Sequence, residues 1–309
     1  MLGSMMQHPL LISDLLTHVE NFHPYGEIVS RTIEGPIHRY TYRDAGIRVR
    51  QLANMLQNLG VTKGDRVATL AWNGYRHYEL YYATSGIGAI IHTVNPRLFP
   101  EQIEYILNHA EDKILCVDLS FLPLVQQLAP RLPHLEHVIV LTDERHMPTS
   151  GLHKALCYEI ELARYNDDFT WPRFDDQTAA ALCYTSGTTG NPKGVLYSHR
   201  SQILHAYATV QPDAMNLSSG SCVLPVVPMF HVSAWGTPYS GTLVGAKLVF
   251  PGARLDGASL AELIEQEKPD FLLGVPTVWL GLLDYLRQND KILHSVRTVV
   301  VGGSAAPLA

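Results

Sequence analysis

The chain reads as an α/β protein with two mainly parallel sub-sheets flanked by helices, and three observations predict it. Apolar runs that look like buried strands alternate with segments of helical period from residue 41 to residue 141, and again from residue 179 onward. Between them, residues 142–178 are polar and proline-bearing with no sustained period, so they read as a surface connection between the sub-sheets. Apolar residues make up 46% and charged residues 17%, which supplies a sizeable core and argues against disorder.

Each element has its own reason. In TYRDAGIRVRQLANMLQNLG, Val49, Leu52, Ala53 and Leu56 share one helical stripe. Thr41 and Asp44 have capping-box spacing, and Gly60 suits a left-handed stop. GDRVATLA then reads as a strand, HYELYYATSGIG as a helix and AIIHTV as a strand. PEQIEYILNHA opens with proline in a first-turn position, and KILCVDL follows as a strand. FLPLVQQLA and HVIVLT repeat the order. Beyond the polar connection, SLAELIEQE, DFLLGV, TVWLGLLDYLRQ and RTVVVGG continue it as helix, strand, helix and strand. The expected organisation is one subdomain over 1–178 and a second over 179–309. The sequence stops at PLA, just after a strand and its turn, so the next helix of the unit is expected beyond Ala309.

Bulk properties narrow the function classes. A net charge of −6 with no long Lys/Arg block argues against nucleic acid or an anionic membrane as partner. Cys116, Cys157, Cys183 and Cys222 are far apart and form no CxxC pair, which fits a reducing cytoplasm rather than a disulfide framework or a zinc site. The start, MLGSMMQHPLLISDLL, lacks the basic region of a secretory signal. No window supplies the ~20 apolar residues of a membrane span; FLLGVPTVWLGLLDYL is broken by Pro276 and Asp284.

YTSGTTGNPKG, residues 184–194, has the composition of a phosphate cradle. Glycines let backbone N–H groups approach an anion, and successive amides form a nest for it. The hydroxyls of Thr185, Ser186, Thr188 and Thr189 are hard-oxygen donors to phosphate or Mg²⁺, and Lys193 is a mobile cation for distal phosphates. Walker A is excluded, because the spacing is Gly187-x-x-Gly190-x-x-Lys193-Gly194 and VLYSH continues as a strand before any helix. On composition alone a polar hairpin loop remains open as the plainer reading.

The order of residues resembles the phosphate-binding signature of the adenylate-forming superfamily, which includes acyl-CoA synthetases, luciferases and peptide-synthetase adenylation domains. Four further segments, residues 59–98, PMFHVSAWG at 228–236, GVPTVW at 274–279 and VVVGGSAAP at 299–307, are similar to family segments in the family's order. The HVxxW run most resembles medium- and long-chain fatty acyl-CoA synthetases and their relatives on short substituted acids.

The resemblance implies a fold, a reaction and a site. A carboxylic acid, by the HVxxW resemblance a fatty acid here, attacks the α-phosphate of ATP, pyrophosphate leaves, and a thiol, usually that of coenzyme A, then displaces AMP. Thr185, Ser186, Gly187, Thr188, Thr189, Gly190 and Lys193 would grip the phosphates, with Thr185 toward Mg²⁺ and Lys193 offsetting charge on pyrophosphate. His231 would lie near the acyl carboxylate and α-phosphate, Val232 and Trp235 near ATP, with Trp235 also placed to gate an acyl tunnel. Gly302, Gly303, Ser304, Ala305 and Ala306 would lie beside adenine and the acyl head. Gly274, Pro276 and Thr277 fit a pocket wall less specifically, Trp279 reads as core, and His199 and Arg200 as caps of the following helix. Subunit pairing through residues 1–31, a homodimer, is a further expectation. The resemblance also implies a small C-terminal domain with a catalytic lysine, so this chain alone would bind nucleotide weakly and make no acyl-CoA. Two alternatives stay open: a non-catalytic nucleotide-binding or dimerisation fragment, and an aryl- or amino-acid-adenylating enzyme.

Overall fold

Two twisted sheets, three helical layers and a shared central core make up the computed structural model, which describes residues 1, 3–5, 7–149, 152, 155–185 and 191–305. From the N-terminus the elements are α1 (Ile12–Phe22), β1 (Glu27–Arg31), β2 (Ile37–Thr41), α2 (Tyr42–Asn58), β3 (Arg66–Leu70), α3 (Tyr75–Gly86), β4 (Ile90–Thr93), α4 (Pro100–Ala110), β5 (Ile114–Val117), α5 (Leu122–Leu128), β6 (His137–Val140), β7 (Leu156–Cys157) and α6 (Tyr158–Leu162). Then follow β8 (Ala179–Thr185), β9 (Lys193–Ser198), α7 (His199–Thr209), β10 (Cys222–Pro225), α8 (Val232–Trp235), α9 (Thr237–Val244), β11 (Lys247–Phe250), α10 (Gly257–Glu267), β12 (Phe271–Gly274), α11 (Pro276–Gln288) and β13 (Thr298–Val301).

One sheet has the order β7-β6-β5-β3-β4-β8-β9 and the other β13-β12-β10-β11-β1-β2. All neighbours are parallel except β9 on β8 and β2 on β1. Inner strands such as β5, β11 and β12 are apolar on both faces because both faces are covered. Alternate residues therefore enter different cores: Ile114 and Cys116 point to the central core, and Leu115 and Val117 to the outer one under α4 and α5. In the second sheet, Leu248 and Phe250 face the centre, and Val249 faces α10 and α11.

The central layer explains HYELYYATSG. Every residue of α3 is buried, and its four phenols need partners; Tyr75 donates to Glu159 Oε1 at 2.7 Å. Tyr78 bonds the Thr242 hydroxyl at 2.8 Å, Tyr82 donates to the Pro238 carbonyl at 2.9 Å, and Tyr81 donates to the Met229 carbonyl. The capping box of α2 forms as its spacing predicts, its stripe of Val49, Leu52, Ala53 and Leu56 is fully buried, and Gly60 turns with φ +82°.

Three features of the fold bear on the sequence reading. The division at residue 178 does not follow the sheets: β8 and β9 complete the sheet of residues 66–157, while β1 and β2 extend the sheet of residues 222–301. The polar connection also carries structure. β7 pairs with β6, and Glu159 of α6 bonds Arg48, Arg76 and Tyr75. Its charge made the segment look like a surface loop, but opposing charges close to it neutralise that burial. Finally, the N-terminal segment turns its apolar residues inward: Ile12, Leu16 and Val19 of α1 are fully buried.

Candidate active site at the carboxyl edges

Loops leaving neighbouring parallel strands toward opposite faces open a crevice at the strands' carboxyl ends. Here β3 leads to α3 on the inner face and β4 to α4 on the outer face. Likewise β10 leads inward to α9, while β12 leads outward to α11. The two crevice edges are joined. Asn73, after β3, bridges to Gly252, after β11. Its buried amide donates to the carbonyls of Pro225 at 2.8 Å and Val227 at 2.9 Å, and its Oδ1 accepts the Met229 N–H at 2.7 Å. Asn73 thus holds the PMF segment that precedes His231. Nothing in WNG at the sequence level shows these partners, which lie about 150 residues away along the chain.

The phosphate-cradle stretch forms a hairpin. Thr185 and Lys193 are register partners at its mouth, with the Thr185 hydroxyl 3.5 Å from the Lys193 carbonyl. Both side chains are exposed at the carboxyl end of β8. Ser186, Gly187, Thr188, Thr189 and Gly190 lie outside the described residues, as does Ala306. Among the described residues the Thr185 hydroxyl makes one long contact, to the Lys193 carbonyl, and the side chain is exposed, which suits a hard cation shared with phosphate oxygens. No cluster of three acidic, His or Cys side chains with metal-ligand geometry occurs among the described residues.

PMFHVSAWG breaks the usual backbone rules. Val232, Ser233, Ala234, Trp235 and Gly236 all have positive φ, from 45° to 75°, so α8 is a single left-handed turn. Each non-glycine residue in that conformation costs about 1–2 kcal/mol. The surroundings hold it: the Thr237 hydroxyl donates to the Ala234 carbonyl at 2.7 Å, and the Gly236 N–H to Ser233 at 2.9 Å. Backbone strain concentrated in this way marks functional segments. Gly236 has a second reason to be glycine, since a Cβ there would sit 2.6 Å from the His205 ring.

The turn places the predicted residues unequally. His231 and Val232 are exposed at its start. Trp235 is half-buried, its indole over Gly302, where a Cβ would lie 2.8 Å from the ring. Gly303 turns with φ +85°, and Ser304 and Ala305 are exposed beyond it. Tyr197, Gln202, His205, Val232, Trp235 and Gly236 line an apolar groove of about 390 Å³ between β9–α7 and the left-handed turn. Tyr197 lies four residues along β9 from Lys193, about 13 Å at strand rise. Among the described residues no hydrogen bond joins Thr185 or Lys193 to His231.

Neighbouring residues sort themselves out. Trp279 is buried and fills the space above Gly274, where a Cβ would be 2.6 Å from the indole. Pro276 is the buried first residue of α11, and Thr277 is exposed. Ser198, not His199, caps α7 through the Ser201 N–H. His199 is fully buried and accepts the Ile12 N–H at 3.1 Å, so it joins α7 to α1 instead. Burial lowers its pKa to about 4. Arg200 pairs with Asp176 at 3.0 Å.

Comparison with known proteins matches residues 20–309 to the AMP-binding enzyme family. The chain is 48% identical over 307 residues to a medium-chain-fatty-acid–CoA ligase of Ectopseudomonas oleovorans, covering 99% of this chain and 56% of that one. It is 45% identical to a 3-methylmercaptopropionyl-CoA ligase of Ruegeria pomeroyi, covering 99% and 57%. It therefore spans a little over half the length of these relatives. Among solved structures it superposes with TM-score 0.87 on an anthranilate CoA ligase in complex with anthranoyl-AMP, at 25% identity, over 99% of this chain and 57% of that one.

Proposed function

This chain belongs to the AMP-binding enzyme family, and from that membership we propose that the whole protein joins a carboxylic acid, foremost a fatty acid, to ATP and passes the acyl group to coenzyme A. The relatives named as medium-chain-fatty-acid and 3-methylmercaptopropionyl CoA ligases support that substrate class. In this reading a carboxylate oxygen bonds to the α-phosphorus as the bond to pyrophosphate breaks, and the thiol of coenzyme A later displaces AMP. Lys193 screens the repulsion between carboxylate and triphosphate, and residues 186–190 cradle the phosphates with their amides. Thr185 offers its hydroxyl to Mg²⁺, which supplies charge neutralisation when bound. His231 donates toward the α-phosphate oxygen, and Gly302, Gly303, Ser304 and Ala305 flank the adenylate.

One observation carries the reading: an apolar groove closed by Trp235 on Gly302 lies along the same strand whose first residue is Lys193. An acyl-adenylate needs an anion grip and an apolar pocket at one edge. We place the protein in the cytoplasm; no helix among the described residues is long and apolar enough to cross a membrane. Subunit pairing through the N-terminal segment would fall to exposed Phe22 and Tyr25, since α1 faces inward.

ATP–pyrophosphate exchange by the whole polypeptide, over straight-chain acids of increasing length with anthranilate as the aryl control, tests the proposal. Exchange with fatty acids is expected. Lys193→Ala should slow it about tenfold to a hundredfold without moving Tm, because the side chain is exposed. Lost stability with an unchanged rate returns the loop to a plain hairpin.

A further inference from the structure

The last residue of the cradle motif, Gly194, has no role in gripping an anion, yet its environment is specific. It is the register partner of Tyr184, one step inside the Thr185–Lys193 pair. A Cβ at Gly194 would meet the Tyr184 ring at 3.1 Å and Leu182 at 3.0 Å. The phenol therefore packs tightly over the face where a side chain would stand. Its far end is tethered: the Tyr184 hydroxyl and His109 Nδ1 are 2.6 Å apart. His109 is in the last turn of α4 and stacks on Tyr105 with ring centroids 5.4 Å apart. Beneath, the Tyr184 ring lies 5.2 Å from that of His92, itself held by buried Asp112 at 2.6 Å.

We infer that Tyr184 is a positioning residue: its ring, seated against Gly194 and tied to His109 on α4, fixes the mouth of the hairpin so that Thr185 and Lys193 face an incoming triphosphate together. Two adjacent register pairs share one rigid lever. The ring cannot retreat from Gly194 without stretching the bond to His109, and α4 is anchored in the outer core through Ile103, Ile106 and Leu107. Desolvation raises the Tyr184 pKa to about 12, so the phenol stays neutral beside His109. A side chain at 194 would press on the lever and push the ring outward by a few tenths of an ångström.

The inference rests on the ATP-dependent reading for its functional half only, and the experiment separates the two. Amide hydrogen exchange near the hairpin, without nucleotide, and calorimetric ATP binding are measured on the whole polypeptide and on variants. Tyr184→Ala should speed exchange at Lys193 and Val195 at least tenfold, leave the α10–α11 amides unchanged, and weaken ATP binding about tenfold. Tyr184→Phe and His109→Ala should give one smaller, equal effect, and their combination no more than either alone. Gly194→Ala should weaken ATP binding severalfold beside Tyr184 and much less in the Tyr184→Ala background. Unchanged exchange at the hairpin in Tyr184→Ala, or acceleration spread over the whole chain, overturns the inference. Local acceleration in a protein that binds no ATP even as wild type leaves the lever standing and removes the proposed function instead.

Discussion

Asn73 uses the whole of its amide inside the protein. Removing it strands two buried carbonyls and one N–H, each costing about 1–3 kcal/mol. Asn73→Ala should lower stability by at least about 3 kcal/mol and slow exchange further than stability explains, because His231 loses its footing. Asn73→Asp keeps the shape but donates nothing, so it should not rescue; a variant with wild-type Tm and rate would refute the role. His199 gives the pH test. Its folded pKa of about 4 lies below the ordinary 6.5, so the unfolded chain takes up a proton first as pH falls. Stability is fully present above pH 6.5 and is lost between there and about 4, by a few kcal/mol at most. His77, also lowered to about 4, acts in the same direction, and Asp118, raised to about 7 by burial, acts oppositely. The His199→Gln comparison isolates one group: the gap in unfolding free energy to wild type should narrow as pH drops from 7 to 4. A gap that is constant with pH would show that His199 is protonated alike in both states. The types and spacing of Thr185, Lys193, His231 and Trp235 were readable from the sequence. Asn73 and Tyr184 were not, since what distinguishes them is the partner, and the partners come from other elements.

The elements were legible where a period ran long enough. The stripe of α2, the strands β3 to β6 and the cap at Thr41 follow from local patterns. The hairpin of β1 and β2 was missed, although EGP at residues 34–36 marks its turn. The left-handed turn at 232–236 was invisible for a physical reason. Its backbone is held by the Thr237 hydroxyl on Ala234 and by the seat of Trp235 on Gly302, against the preference of every non-glycine member. Relieving that conflict should show. Val232 is β-branched, exposed and at φ 45°, so Val232→Gly is expected to raise stability by about 1 kcal/mol. Gly236→Ala should lower it, since the new Cβ meets His205. Thermal melts decide between them; a Val232→Gly variant less stable than wild type would mean that the turn is not strained.

At the scale of the molecule, sheet membership crosses the apparent subdomain boundary twice. Residues 1–178 lack β8 and β9, and residues 179–309 lack β1 and β2. Limited proteolysis should therefore release no stable piece spanning 179–309, and cleavage near residue 178 should abolish cooperative unfolding; a folded 179–309 product would contradict the interleaving. Local sequence could not reveal this, because a parallel strand's neighbours are chosen by crossovers and not by its own residues. Three of the four phenols of α3 carry a mechanical consequence. Tyr81 and Tyr82 grip carbonyls, and Tyr78 a hydroxyl, on the loop and helix following β10, while α3 itself hangs from the sheet of β3 and β4. They act as three pins across one shear plane. Sliding either sheet past the other would have to snap all three together, so any large rearrangement must pivot on something outside this block.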